Sequence, residues 1–307
     1  MGLRRVPRGD LRDRFEAYAS LVRLPNLFSA PPDVVLGAAL VAASGGSVSI
    51  PALAGLALAS VLLYAGGTTL NDYFDAPADA RERPERPIPS GRVSRASAGV
   101  LGGGLLTAGV LVGSLAAGPW AGLVAAALAG VVLAYDGWLK GTGVGFLAMG
   151  GARGLDVALG FAAGGFRIPT WTVFVPLVVV GYIALVTRMA ANEATTTERD
   201  VVAGAAGGVV LGGAAVVALL GVVRPPPVEI FLALALVAGF FGWTGQAIGR
   251  AYATPRPDTV GPAVGTCVLA LVVLDAAFAA VAGVPWALAA LAFLVPALGF
   301  SRVFDVS

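Results

Sequence analysis

The chain has 307 residues, 57% of them hydrophobic and only 12% charged, with a net charge of +2 and no histidine. Soluble domains carry about 25% charged residues, so a water-soluble surface for this length is excluded. The missing histidine excludes Ser-His-Asp triads, His-ligated zinc and His-held haem. The lone Cys267 excludes an internal disulfide, a cysteine-rich zinc site or a four-cysteine iron–sulfur cluster.

The apolar residues come in long blocks, and a membrane-crossing helix needs about 20 of them. Residues 10–23 set charge on one side and apolar residues on the other, which predicts an interfacial helix leading into the first span. Its long charged region, with no cleavage-like site after a short apolar segment, sets it apart from a signal peptide. Spans are predicted near 27–45, 51–70, 96–117, 119–135, 144–165, 170–190, 201–223, 228–248 and 260–282. A tenth run, 285–300, is shorter and holds Pro296. The expected fold is all-α: one polytopic membrane bundle over 1–307, with 1–24 as its N-terminal interfacial segment, nine core helices and a tenth if 285–300 also spans.

Arginine sets the orientation. Arg4, Arg5, Arg8, Arg12, Arg14 and Arg23 precede the first span, and Arg81, Arg83, Arg86, Arg92 and Arg95 follow the second. Lys140, Arg188, Arg199, Arg250 and Arg256 border later ends of the same parity, whereas the opposite loops carry Arg167 and Arg224. By the positive-inside rule the N-terminus and the longer loops are expected in the cytoplasm, the chain being a multi-pass inner (plasma) membrane protein. The net charge gives no nucleic-acid footprint.

The second span ends in an acidic segment, 71–79, where Asn71, Asp75 and Asp79 share one helical face with Asp72 beside them. Carboxylates at a helix C-terminus oppose the dipole, so a cation is the natural compensation. Oxygen-only ligands suit Mg²⁺, which takes one or two carboxylates, waters and substrate phosphates. The plainer alternative is a solvated helix end. Residues 192–200 repeat the pattern after the sixth span: Asn192 matches Asn71, Glu193 matches Asp72 and Asp200 matches Asp79, while Thr196 stands opposite Asp75. Two facing acidic loops would hold Mg²⁺ against a polyphosphate. The basic, proline-stiffened run 81–92 follows the first of them, and arginine suits bidentate phosphate contact.

Residues 71–79, followed by Arg86-Pro87-Ile88-Pro89-Ser90-Gly91-Arg92, resemble the first aspartate-rich motif and its succeeding segment in the UbiA superfamily of intramembrane prenyltransferases. Weaker similarities are Arg23-Leu24-Pro25-Asn26 at the opening, Tyr135 to Lys140 after the fourth span, and Asp200-Val201-Val202-Ala203-Gly204 at the end of the second motif. The C-terminal half is similar to divergent members of the EboC type. The resemblance implies nine helices around a central cavity capped by cytoplasmic loops. It also implies Mg²⁺-dependent transfer from a prenyl diphosphate to a lipophilic acceptor, aromatic in many members. Carried over by position, Asn71, Asp75, Asp79 and Asp200 would bind metal and Asp72 would assist. Thr196 replaces the first aspartate of the second motif, with Glu193 or Glu198 left to supply that carboxylate.

Arg83, Arg86, Arg92, Lys140 and Arg199 are the candidates for neutralising a leaving diphosphate. Lys140 reads equally as a topology anchor. Tyr135 is either a cation-stabilising ring or an interfacial tyrosine. Arg23, Asn26, Arg153 and Asp156 are the candidates for the acceptor, against helix capping for Asn26 and an internal ion pair for Arg153 with Asp156. Asp33 and Asp275 also fall inside spans and are expected to face the bundle interior. The Gly-rich run 141–150 is read as helix packing and not as a dinucleotide fingerprint. A UbiA-type terpene cyclase, and a lipid or isoprenoid binding or transport protein, are the competing functions.

Overall fold

The computed structural model describes residues 8–166, 168–191 and 198–301. Asn192, Glu193, Thr196 and Arg167 therefore lie outside the described residues. Among those residues nine helices are long and apolar enough to cross a membrane, and no strand is present.

The chain opens with α1 (Arg8–Leu21), whose Ala17 and Leu21 pack on Val93 and Ala98. Arg23 then takes a left-handed conformation (φ 49°), and a 3-10 turn over Leu24–Ser29 leads into α2 (Pro31–Ala43). The long α3 (Ile50–Glu82) has 33 residues, about 50 Å at 1.5 Å per residue. That exceeds the roughly 30 Å hydrocarbon core, so its acidic end projects by several turns. Pro77 lies inside this helix, which continues past it to Glu82. A proline leaves the carbonyl four residues back without a partner, here Tyr73 O. Arg95 Nε donates to that oxygen at 3.1 Å while its guanidinium lies over the Tyr73 ring.

The bundle continues as α4 (Arg95–Ala117), α5 (Pro119–Ala134), α6 (Gly143–Phe161), α7 (Phe174–Ala190), α8 (Arg199–Val223), α9 (Pro227–Ala253) and α10 (Pro257–Ala279). The run 285–300 forms two short helices, α11 (Val284–Leu291) and α12 (Leu294–Ser301), neither long enough to span. Two apolar cores result: one joins α3, α4 and α5, the other joins α7 to α10, and both include residues of α2 and α6. Glycine permits the central α2–α6 approach. A Cβ on Gly37 would lie 2.0 Å from Val157 O, and one on Gly160 would lie 2.2 Å from Val34 O. Within the Gly-rich run, a Cβ on Gly150 would meet Val180 O of α7 at 2.3 Å, in keeping with the packing reading.

Candidate active site

A cavity of about 620 Å³ lies between α3, α5, α6 and the end of α7. Ser60, Tyr64, Gly67, Asn71, Asp75 and Asp79 follow one another along α3 at three- and four-residue steps, so a single stripe of this helix lines the cavity over most of its length.

The upper end is polar. Lys140 Nζ is ion-paired with Asp75, and Arg86 Nη1 donates to Asp79 Oδ2 at 2.9 Å and reaches Asp72 Oδ1 at 3.5 Å. Arg23 Nη2 donates to Asn71 Oδ1 at 3.2 Å and also approaches Asp72 at 3.5 Å. The left-handed turn at Arg23 thus carries the N-terminal segment back over the acidic end of α3. Arg23, expected at the acceptor, lies against Asn71 and Asp72 of the acidic segment.

A residue that sequence reasoning missed completes this end. Asp136 is buried, lines the cavity and accepts a 2.7 Å hydrogen bond from Asn71 Nδ2. It is presented by a π-helical turn, Tyr135–Leu139, closed by Lys140 N donating to Tyr135 O at 2.9 Å. The wider π turn inserts an extra residue into the helical repeat, and Tyr135, Asp136 and Lys140 all face the cavity. The available signal was an acidic residue directly beside Tyr135, passed over because it belongs to no repeated motif.

Other expected site residues divide between the cavity lining and positions outside it. Arg83 lines the cavity, but Arg92 does not. Arg92 bonds Glu85 O at 2.7 Å and Ser90 Oγ at 3.1 Å, bracing the loop that carries Arg86. Asn26 is outside the lining; its carbonyl accepts from Ser29 Oγ. Asp200 has a 65% exposed side chain and lies 3.9 Å from Arg188, and Arg199 sits over the Tyr252 ring, both away from the cavity. Arg153 and Asp156 do line it, at the deep end, yet they are not paired with each other. Arg153 Nε pairs with Asp33 Oδ2 of α2 at 3.0 Å, and Asp156 Oδ2 accepts from Ser60 Oγ at 2.6 Å. The expected ion pair is thereby corrected. Three residues apart on one helix was the wrong geometry to rely on, because neighbouring helices offered both groups better-placed partners.

The acidic lining offers oxygen donors alone, the ligand chemistry of Mg²⁺. Among the described residues no three acidic side chains converge on one point. Mg²⁺ asks for less: one or two carboxylates, with water and substrate phosphate completing its octahedron. Asn71, Asp75 and Asp79 meet that requirement. Chemically, the upper end suits a polyanionic head group, and the apolar wall formed by Leu63, Gly67, Leu128, Val132, Met149 and Ala152 suits its hydrocarbon.

The family model of the UbiA prenyltransferase family matches residues 34–205, more than half of the chain. The chain belongs to the UbiA prenyltransferase family. Its similar relatives include proteins named digeranylgeranylglyceryl phosphate synthase. That of Ignicoccus hospitalis is 43% identical over 131 residues, covering 43% of this chain and 41% of the relative. That of Methanopyrus kandleri is 40% identical over 127 residues, covering 41% and 45%. The chain thus matches less than half the length of these relatives. Solved structures share the fold across nearly the whole bundle. A UbiA homologue from Aeropyrum pernix K1 has a TM-score of 0.64 at 17% identity, over 82% of this chain and 96% of that one. A UbiA homologue from Archaeoglobus fulgidus, described as bound to GPP and Mg²⁺, has a TM-score of 0.58 at 15% identity, over 90% and 99%. This UbiA member is accordingly a multi-pass helical membrane protein.

Proposed function

We propose that the protein transfers a prenyl group from a prenyl diphosphate to a lipophilic acceptor, with Mg²⁺, at the cytoplasmic face of the membrane. The observation that carries this is the alternation of carboxylates and basic side chains around Asn71, Asp75 and Asp79, set above an apolar wall in one cavity. Each cation of that ring already holds a carboxylate. A diphosphate entering with its metal would exchange those partners: Asp75 and Asp79 turn to the metal, while Arg86 and Lys140 turn to phosphate oxygens. Bound Mg²⁺ would supply neutralisation of charge on the departing diphosphate.

The chain's own part is orientation and exclusion. Arg23 and Asp136 grip the Asn71 amide from its two sides and fix which atom faces the head group. Arg86 and Lys140 neutralise charge as the allylic C–O bond lengthens. Tyr135 and the apolar wall keep water from the cation formed there. The relatives' name points to an alcohol of a glycerophosphate lipid as acceptor, in place of the aromatic ring expected from the family at large.

The test is radiolabelled prenyl diphosphate binding to the purified protein in lipid, with and without Mg²⁺. Binding should require Mg²⁺ and vanish in Asp75→Ala and in Asp79→Ala; undiminished binding in both variants would overturn the site. Diphosphate release without acceptor, giving cyclised hydrocarbon, would favour a cyclase.

A further inference from the structure

Arg23 reaches Asn71 and Asp72 from a backbone conformation that residues with a Cβ avoid: its φ is 49°, in the left-handed region. A residue other than glycine stays there only where its surroundings hold it. The six residues that follow, Leu24–Ser29, form a 3-10 turn, whose hydrogen-bond geometry is poorer than that of an α-helix. The turn therefore depends on what is fastened to it. Asn26 N donates to Arg23 O at 2.8 Å, and Ser29 Oγ donates to Asn26 O at 2.8 Å. At the far end Ser29 O accepts from Arg153 Nη2 of α6.

A further fastening comes from a segment distant in the chain. The short helix α12 packs chiefly on this turn. Phe300 lies flat against Phe28, with ring centroids 5.5 Å apart and planes 7° from parallel. Ala297, three residues before Phe300 on the same helical face, is fully buried. The preceding helix α11 is seated on α2 and α10, where Val35, Ala276 and Ala290 form a buried cluster. Packed side chains thus run from the bundle wall through α11 and α12 to the turn that begins at Arg23. Neither Phe28 nor Phe300 lines the cavity, and nor does any other residue of α11 or α12.

We infer that Phe300, acting through Phe28, is a positioning residue for Arg23: α12 braces the turn that holds this guanidinium against Asn71 and Asp72. The head-group end of the cavity is then completed by a helix that contributes no residue to it. This rests on the diphosphate site proposed above, in which Arg23 holds the Asn71 amide.

The experiment is a double-mutant cycle, read as Mg²⁺-dependent binding of labelled geranyl diphosphate to the full chain in lipid nanodiscs. Arg23→Ala should weaken binding about tenfold, from loss of a charge-assisted hydrogen bond. Phe300→Ala should weaken it about fivefold, from loss of the stacked ring, and Phe300→Tyr, which keeps the ring, should stay within about twofold of the native protein. Arg23→Ala/Phe300→Ala should match Arg23→Ala within about twofold, because no guanidinium is left to position. Losses that multiply to about fiftyfold would overturn the inference, as would native binding by a folded Phe300→Ala variant. A loss in Phe300→Ala with none in Arg23→Ala would overturn it too. Should Phe300→Ala fail to fold, Phe300→Leu takes its place in the cycle; it keeps the apolar bulk without the flat ring, and its loss of about threefold should vanish beside Arg23→Ala. Failure of the native protein to bind geranyl diphosphate would instead overturn the diphosphate site, and the brace with it.

Discussion

At the end of α3, Asp72 and Asp79 are each 6% exposed, and Arg86 closes over both. At the start of α8, Asp200 stands in solvent with Arg188 3.9 Å away. Carboxylates of the same kind, each at the end of a membrane-spanning helix, thus have very different strength. Screening by water reduces an exposed pair to a few tenths of a kcal/mol, whereas burial raises both the attraction and the cost of losing a partner. The neighbours make the difference. The α3 end is overlaid by the turn at Arg23, by the loop carrying Arg86 and by the π turn after α5. The cavity lining near α8 comes from Thr187, Ala190 and Ala191 of α7 and its end, which bring no charge.

Substitutions can break or sharpen that contrast. Asp75→Ala and Asp79→Ala should each weaken Mg²⁺-dependent prenyl diphosphate binding by about 100-fold or more if they hold the metal as proposed, and Asp79→Ala also leaves the largely buried Arg86 without its nearest carboxylate. Arg86→Ala should follow at about 30-fold, from loss of charge-assisted bonds to the head group, read in the same binding assay. Asp136→Asn keeps an acceptor for the Asn71 amide and removes only the charge; a loss of about tenfold is expected, rising in Asp136→Ala. Arg95→Ala leaves Tyr73 O without its donor beside Pro77 and should cost about 1 kcal/mol, visible as a lower thermal midpoint in detergent with a smaller effect on binding. Asp200→Ala comes last, within about threefold. A loss there as large as that of Asp79→Ala would erase the contrast and show that Asp200 contributes to the substrate site as strongly as Asp79 does.

Much of the site could be read from residue spacing. The steps from Asn71 to Asp75 to Asp79 are those of one helical face, and all three residues line the cavity. Spacing failed where partners come from other helices. Arg153 and Asp156 were close in the chain, but Asp33 and Ser60 were closer in space. Asp136 escaped notice because its position depends on a π turn, which no periodic pattern announces. Arg92 sat in the best-matched motif, yet it faces its own loop, because its guanidinium reaches Glu85 O and Ser90.

The sequence alone determined that the protein lives in a membrane, how its helices divide the chain, and that one acidic face belongs beside a basic loop. Those follow from hydropathy and helical periodicity, which are local properties. Tertiary structure alone decided that Asp136 joins the ring and Arg92 leaves it, that α3 survives Pro77, and that Arg153 and Asp156 take Asp33 and Ser60 as partners. Each of these depends on which helix supplies the missing partner of a buried polar group. That choice is made by packing between segments far apart in the chain, where the Gly37–Gly160 approach brings α2, with Asp33, against α6, with Arg153.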